Sequence, residues 1–388
     1  MNFWAKLSYF VKNNQNIAKI GIGDISGAGI SSLFWFYIAS SLGPEKFGEL
    51  NFFIGIAGLA QMLSLFGTSH VLTVYTSKNF KIQSSLISIS LILGTISFII
   101  TMFIFEKLDA SFLILAFMLP EIANGIILGK KCFSQYSKFF LLQKFLLFSL
   151  GISFYYFLGF EFILLAMILS YIPYSKFIFS EFKSSKISLN LIQEKKGFIF
   201  NNYIISISTA FNTQLDKLII APLLGFSLLG EYALVSQIIA VMAIITSILF
   251  KYILPQDSRG ENTQKIKKYT IIFSFIVAIL GMIILPQAIS YIFPKFENVV
   301  DGIRLASFLI IPSTIGMLYT SKLLASEKSR YILISNLVST VIFFAGFLTL
   351  GPLYGLLGLI TVLITSSTIH TTIIFLASKH IEKTQTKN

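Results

Sequence analysis

Long apolar runs, each close to the length of a bilayer-spanning helix, follow one another along almost the whole chain. A transmembrane helix needs about 20 predominantly apolar residues, and short polar segments separate the runs here. The pattern therefore predicts an all-α integral membrane protein with twelve spans. They are expected over residues 17–39, 50–74, 84–105, 111–128, 139–158, 161–178, 200–223, 232–253, 269–291, 303–323, 331–350 and 355–377.

The seventh predicted span differs from the others because one of its sides is polar. At 100° per residue, eight polar side chains fall within about 160° of arc, and only Ser208 and Gln214 depart from the pattern. The eight are Asn201, Asn202, Ser206, Thr209, Asn212, Thr213, Asp216 and Lys217. A charge near the membrane centre costs about 2.5–3.5 kcal/mol, so such residues face protein or water. This span is therefore predicted to line a polar cavity.

The end of this span resembles an earlier part of the chain. Residues 38–49 (IASSLGPEKFGE) and 220–231 (IAPLLGFSLLGE) both fit I-A-x-x-L-G-x-x-x-x-G-E. The second segment begins 182 positions after the first, which is close to half the chain of 388 residues. An internal duplication is the favoured interpretation, and a chance match between apolar segments is the alternative.

Composition agrees with a membrane protein. Hydrophobic residues make up 55% of the chain, charged residues 12%, and the mean hydropathy is +0.80. A soluble domain carries about 25% charged residues. The single cysteine, Cys132, excludes an internal disulfide and a cysteine-based zinc site.

The positions of the positive charges predict the orientation in the membrane, because cytoplasmic loops accumulate Lys and Arg. With the N-terminus inside, 24 of the 30 Lys and Arg residues fall on the predicted cytoplasmic side. The exceptions are Lys46, Lys107, Lys295 and Arg304 on the external side, and Lys144 and Lys217 within spans. Both termini are therefore expected in the cytoplasm, and the net charge of +13 does not indicate nucleic-acid binding.

The duplication and the loop lengths together predict two lobes of six helices. We expect an N-terminal lobe over 1–178, a cytoplasmic linker over 179–199 and a C-terminal lobe over 200–388. Six spans per half is an even number, so the repeats are expected to be related by an axis along the membrane normal. Residues 1–12 are amphipathic, which indicates either a short helix on the membrane surface or a frayed terminus.

Candidate binding residues come first from the polar side of the seventh span. Lys217 could attract an anionic substrate, and Asp216 could position it or titrate. A structural ion pair with a neighbouring helix, or a lysine that reaches the outer interface, is the alternative. The polar neighbours Thr209, Asn212 and Thr213 are included in this candidate cavity set.

Four more ionisable residues lie within predicted spans. Asp24 accompanies Gly23 and Gly27, which form a small-residue ridge that permits close helix packing. Asp24, Glu121 (which follows Pro120) and His370 are candidates for H⁺ or Na⁺ coupling. Each could instead be a hydrogen-bonded packing residue. Lys144 is a further cavity candidate, although it is shallow enough to reach the interface.

No catalytic constellation is evident. The chain has no nucleotide-binding glycine loop, no metal-ligand spacing and no Ser/His/Asp arrangement on an external loop. The sequence therefore predicts a protein that is not an enzyme and has no cofactor. Any driving force is expected from ion gradients, membrane potential or mass action.

Two motifs resemble a known family. Residues 41–48 (SLGPEKFG) are similar to the Leu-Gly-Pro-Glu-x-Phe/Tyr-Gly signature of polysaccharide exporters. Residues 215–238 (LDKLIIAPLLGFSLLGEYALVSQI) resemble the acidic-basic seventh helix of the same family and the Gly-x-Tyr segment after it. With twelve predicted spans, the chain resembles O-antigen flippases of the Wzx type. Those flippases belong to the MOP superfamily, together with the MATE antiporters and the lipid II flippase.

The resemblance implies two six-helix bundles around a cavity that opens alternately to each side of a bacterial inner membrane. The implied substrate is a polyprenyl-pyrophosphate-linked oligosaccharide, and the implied partners are the bilayer and polysaccharide polymerase or assembly proteins. Lys217 matches the family's cationic cavity position, and Asp24 resembles the first-helix acid of MATE antiporters. This chain departs from the pattern because it has no Arg deep in a span.

Two other function classes remain open at the level of sequence. A MATE-type cation or drug antiporter would need cavity acids without a central cation, so Lys217 argues mildly against it. A membrane polymerase or ligase acting on lipid-linked sugars would need catalytic residues on large external loops, and the predicted external loops are short.

Overall fold

A computed structural model describes residues 15–66, 69–183, 187–258, 262–326 and 328–385. The predicted surface helix over residues 1–12 lies outside these ranges. Helix accounts for 92% of the structure, and the described part contains no strand. The fourteen α-helices of the described chain are α1 Gln15–Leu42, α2 Pro44–Ser64, α3 Ser69–Ser77, α4 Gln83–Phe105, α5 Leu108–Gly129, α6 Phe133–Leu158, α7 Ile163–Ser170, α8 Ile172–Lys183, α9 Leu189–Met242, α10 Ile244–Ser258, α11 Gln264–Ile292, α12 Val299–Ala306, α13 Ile310–Ala325 and α14 Ser329–Gln385.

The all-α membrane class is confirmed. Ten helical stretches of the described chain are long and apolar enough to cross a membrane. Large apolar side chains point outward from them: Phe103 is 82% exposed and Tyr354 is 66% exposed. A soluble protein rarely exposes so many large apolar groups together, whereas lipid is a favourable environment for them. The protein is therefore a multi-pass membrane protein.

The count of twelve spans remains a prediction. The last apolar stretch, Arg330–Ile381, is 52 residues long and contains a non-helical glycine, Gly355 (φ 55°, ψ −132°). A helix of that length would extend roughly 78 Å, and a bilayer core is about 30 Å thick. One apolar stretch thus has room for both of the last two predicted spans. The helix α10 has 15 residues and is too short to count by itself.

The second predicted span differs in its ends from the helices of the structure. The second span was expected over 50–74, but α2 already begins at Pro44 and ends at Ser64, and α3 starts only at Ser69. Proline is compatible with the first turn of a helix, so the polar Pro44–Glu49 turn is helical although it is not apolar. The apolar stretch Pro44–Ser77, which includes both helices, still contains the whole predicted span.

The chain divides into two compact units. The first contains Met1–Ile38 and Leu50–Leu218, and the second contains Ala39–Glu49 and Ile219–Asn388. The boundaries of these units differ from those of the predicted lobes. The lobes were inferred from the internal repeat, and they remain a prediction. The main core of the first unit includes Leu72, Leu86, Ile126 and Tyr174, all at most 1% exposed.

The two repeated segments pack against each other inside the second unit. A Cβ added to Gly48 would lie 1.8 Å from the carbonyl oxygen of Phe226, and one added to Gly230 would lie 1.9 Å from that of Pro44. In the repeat, Gly48 aligns with Gly230 and Pro44 with Phe226. The contact is therefore reciprocal, as it is across a two-fold axis.

The backbone conformation of the two segments agrees as well. Gly43 and Gly225, which align in the repeat, both adopt positive φ angles, of 79° and 88°. Glycine reaches this region without the steric penalty of a Cβ, so each segment breaks its helix at the same place. Shared conformation and reciprocal packing support a duplication over a chance match.

Candidate functional site

Lys217 lies on α9 within the first unit, and its side chain is partly buried. Its ammonium Nζ donates a hydrogen bond to Oε1 of Gln214 over 3.1 Å. Its backbone N–H donates to Oδ1 of Asp216 over 2.8 Å. A neutral amide and the backbone thus organise the two charged residues locally.

The helix α2 provides the surface against which this pair lies. A Cβ added to Gly55 would be 3.1 Å from Cβ of Lys217, and one added to Gly58 would be 3.0 Å from Cδ of Gln214. The two glycines therefore leave room for the Lys217 and Gln214 side chains beside the α2 backbone. The lysine stem packs on this glycine surface while a neutral acceptor holds its ammonium group.

The sequence interpretation of Gln214 was incomplete. Gln214 falls outside the predicted polar arc, yet it is the hydrogen-bond partner of Lys217. Long side chains three positions apart on a helix can meet even when their Cα positions point in different directions. The i, i+3 spacing of Gln214 and Lys217, together with two glycines three positions apart in α2, could have indicated this contact.

The rest of the polar arc is only partly described. Thr213 is exposed, Asp216 is partly buried, and Asn202 donates through Nδ2 to the carbonyl oxygen of Phe198 over 2.9 Å. The side chains of Thr209 and Asn212 lie outside the described part of the structure. The roles of all these residues in a cavity remain predictions.

The predicted ridge on α1 packs closely, which confirms that part of the sequence analysis. A Cβ added to Gly23 would lie 2.9 Å from Cβ of Ser137, and one added to Gly27 would lie 2.4 Å from Cε1 of Phe140. The Cβ added to Gly27 would also lie 3.4 Å from Cγ of Lys144. The small residues of α1 thus bring its backbone against α6.

Asp24 and Lys144 lie on this helix pair and are connected by two aromatic rings. The hydroxyl of Tyr136 donates to Oδ1 of Asp24 over 3.4 Å, and its ring stacks on Phe140 with centroids 6.0 Å apart. The ammonium of Lys144 lies 5.3 Å from the centroid of Phe140, within cation–π range. Sequence analysis missed Tyr136, although 136, 140 and 144 share one helical face.

The other two coupling candidates are Glu121 and His370, and Glu121 lies close enough to Tyr136 to act electrostatically on its hydroxyl. Glu121 is exposed on α5, and its carboxyl group accepts a hydrogen bond from Ser69 at the start of α3. His370 lies in the second unit beside Gly316: a Cβ added to that glycine would lie 3.4 Å from Nδ1 of His370. The structure therefore associates Asp24 with Lys144 and, through Tyr136, with Glu121, and it associates Asp216 with Lys217. Among the described residues, no group of three His, Cys, Asp or Glu residues could hold a metal ion.

No family model and no curated protein matches the chain. Several solved structures do. An inward-facing multidrug resistance MATE family transporter of the MOP superfamily aligns with a TM-score of 0.65 at 16% identity, covering 96% of this chain and 99% of that one. The chain has the fold of MOP superfamily transporters.

Two further structures support the same fold. The lipid II flippase MurJ, in an inward closed conformation, aligns with a TM-score of 0.70 at 14% identity over 93% of this chain and 87% of that one. A MOP superfamily transporter from Pyrococcus furiosus Vc1, described as having a binding pocket of reverse polarity, aligns at 0.64 and 17% identity over 95% of each chain. Proteins described as a drug transporter and as a lipid flippase thus share this MOP fold.

Proposed function

We propose that the chain is a flippase that moves a polyprenyl-pyrophosphate-linked oligosaccharide from the cytoplasmic to the outer leaflet of the bacterial inner membrane. The observation that carries this proposal is Lys217, an ammonium group held by the neutral Gln214 on the glycine surface of α2. An ammonium group has three donors, and Gln214 uses one of them. The pyrophosphate of the substrate would accept hydrogen bonds from the other two donors, and these bonds would be charge-assisted.

The physical requirements of such a substrate fit the chain. A sugar-pyrophosphate headgroup cannot cross hydrocarbon unaided, because each unsatisfied polar group there costs several kcal/mol. The polar side of α9 would provide a path for the headgroup, and the polyprenyl tail would remain in lipid. Alternating access would deliver the headgroup to the other side, for surface polysaccharide assembly with a polymerase. Both termini are proposed to lie in the cytoplasm.

The MATE-type cation or drug antiporter remains the second candidate, because a hydrogen-bonded acid, Asp24, lies within the first membrane span. A MATE family transporter also shares the fold. The two candidates differ in the charge of their substrates: an anionic headgroup requires Lys217, whereas a cationic drug would be repelled by it.

Deletion of the gene is the direct test of the proposal. We expect surface polysaccharide to be lost and the lipid-linked precursor to accumulate on the cytoplasmic side, because its headgroup has no other polar path. Surface labelling of polysaccharide and extraction of lipid-linked sugars measure the two effects, and the wild-type gene should reverse both. Unchanged polysaccharide together with greater sensitivity to cationic drugs would instead support the antiporter.

Ion coupling through Asp24 or Glu121 is tested separately in vesicles. If a bound H⁺ or Na⁺ drives transport, Asp24→Asn or Glu121→Gln should reduce gradient-dependent transport by about tenfold or more, since a hydrogen bond to a charged group contributes about 1.5–3 kcal/mol. Tyr136→Phe separates the acid from its hydrogen bond: it keeps the Asp24 carboxylate and the ring that stacks on Phe140 and removes only the donor hydroxyl, so gradient dependence should survive in it. Gradient dependence that survives in both acid variants would exclude both residues.

A further inference from the structure

A cavity lies entirely within the second unit. Its volume is about 680 Å³. Binding sites for small ligands usually have volumes of about 300–1,000 Å³. Residues of α10, α11, α13 and α14 line it, and four of its lining residues are lysines: Lys267, Lys268, Lys322 and Lys379. No residue of the proposed transport site contributes to it.

A buried carboxylate fixes one wall of this cavity. Asp257, at the end of α10, accepts hydrogen bonds from Nζ of Lys267 over 2.7 Å and from Oγ of Ser321 over 2.7 Å. The hydroxyl of Thr263 also donates to it. The side chain of Asp257 is only 7% exposed and that of Lys267 is 19% exposed, so this ion pair is largely removed from water. The network links α10, α11 and α13 and neutralises the charge of Lys267.

Among the described lining residues, the other three lysines leave a net positive formal charge, since Asp257 is the one carboxylate there. Lys268 and Lys379 are exposed, and Lys322 is partly buried. The ammonium of Lys379 is 4.5 Å from the ring centroid of Phe375, which orients it. Three like charges around one concave surface raise the local positive potential and attract anions. A ligand that carries a phosphate would be stabilised by all three.

The other wall and the location indicate which kind of anion binds. Ile271 and Leu318 give that wall an apolar character. The ends of α10, α13 and α14 and the start of α11 belong to segments predicted on the cytoplasmic side. Basic pockets between transmembrane helices on that side are typical sites for anionic lipid headgroups. A phospholipid would place its phosphate among the lysines and its chains along the apolar wall.

We infer that this cavity binds the phosphate of an anionic phospholipid from the cytoplasmic leaflet. Lysine acts as a point charge without the fixed fork of arginine, so the site would recognise negative charge more than a particular headgroup shape. The inference does not depend on the flippase proposal, because binding is measured without transport and in a different unit of the chain.

The test uses the purified full-length protein in detergent. It is titrated with short-chain phosphatidylglycerol, with short-chain phosphatidylcholine and with inorganic phosphate, and calorimetry measures the affinities. The wild type is expected to bind phosphatidylglycerol more tightly than zwitterionic phosphatidylcholine. The triple variant Lys268→Ala/Lys322→Ala/Lys379→Ala is expected to bind phosphatidylglycerol about 100-fold more weakly, since each lysine contributes about a factor of five near an anionic lipid surface. Asp257 and Lys267 are retained so that the wall remains intact.

The matched control is Lys78→Ala/Lys81→Ala/Lys138→Ala. It removes three exposed lysines that are also predicted on the cytoplasmic side but belong to the first unit. Its affinity should equal that of the wild type. Equal binding of the two lipids, or equal loss in the two triple variants, would overturn the inference. Inorganic phosphate that binds as tightly as phosphatidylglycerol, and is lost in the same variant, would overturn the lipid assignment.

A single substitution keeps the test valid if the triple variant does not fold. Lys268→Glu reverses one exposed charge at the cavity and removes no hydrogen bond of the Asp257 network. It should weaken phosphatidylglycerol binding by at least about tenfold, because repulsion replaces attraction. Lys78→Glu is the control for this change, and an equal effect of both would contradict the inference.

Discussion

Replacing Gly48 by alanine is expected to destabilise the protein by about 3 kcal/mol or more, at or above the upper end of the usual cost of overpacking. The new methyl group would lie 1.8 Å from the carbonyl oxygen of Phe226, which is a backbone atom that cannot rotate away. The two repeated segments would have to separate. Gly230→Ala should have a similar effect, because its methyl group would meet the carbonyl oxygen of Pro44 at 1.9 Å. Thermal unfolding in detergent and the yield of monodisperse protein measure the loss.

Gly29→Ala is the matched control for this prediction. Gly29 also lies inside a helix, but a Cβ added there meets nothing within 4 Å. Alanine favours a helix by about 0.8–1.0 kcal/mol over glycine, so this variant should be neutral or slightly stabilised. A Gly48→Ala variant as stable as Gly29→Ala would show that the two segments do not pack as closely as the structure has them.

Replacing Lys217 by methionine is expected to reduce export of lipid-linked oligosaccharide by at least about tenfold, since a charge-assisted hydrogen bond contributes about 1.5–3 kcal/mol. Methionine keeps most of the apolar stem that lies beside Gly55, so packing against α2 is largely preserved. The change therefore removes mainly the charge. Surface polysaccharide in a deletion strain that carries the variant measures export, and membrane abundance of the protein shows whether it is inserted.

Two controls separate a role in binding from a general effect of charge. Lys217→Arg keeps the positive charge and should restore most export. Lys138→Met removes one exposed lysine elsewhere in the first unit and should leave export unchanged. Full export by Lys217→Met would exclude Lys217 as the group that binds the pyrophosphate, and the proposed function would lose its main support.

Part of the candidate site could be predicted from the sequence alone. A lysine next to an aspartate in an apolar run is unusual, and its position is a local property of the chain. Gln214 is a local partner of Lys217, but the space for both side chains comes from Gly55 and Gly58 on α2, some 160 positions earlier in the chain. Tyr136 is a distant partner of Asp24, and Gly23 and Gly27 allow its helix, α6, to lie close to α1. The cationic cavity around Asp257 was not anticipated at all, because its residues come from four helices.

The sequence by itself determined that this protein is all-helical and that it crosses a membrane many times, and it indicated that its two signature segments are repeats. Hydropathy, run length and repetition are read along the chain, and a bilayer admits few structures other than helices for such runs. The tertiary structure alone decided that the two segments pack reciprocally through Gly48 and Gly230 and which partners Lys217, Asp24 and Asp257 contact. Those contacts depend on how closely two backbones approach, and that distance is set by the packing of whole helices and not by any single segment.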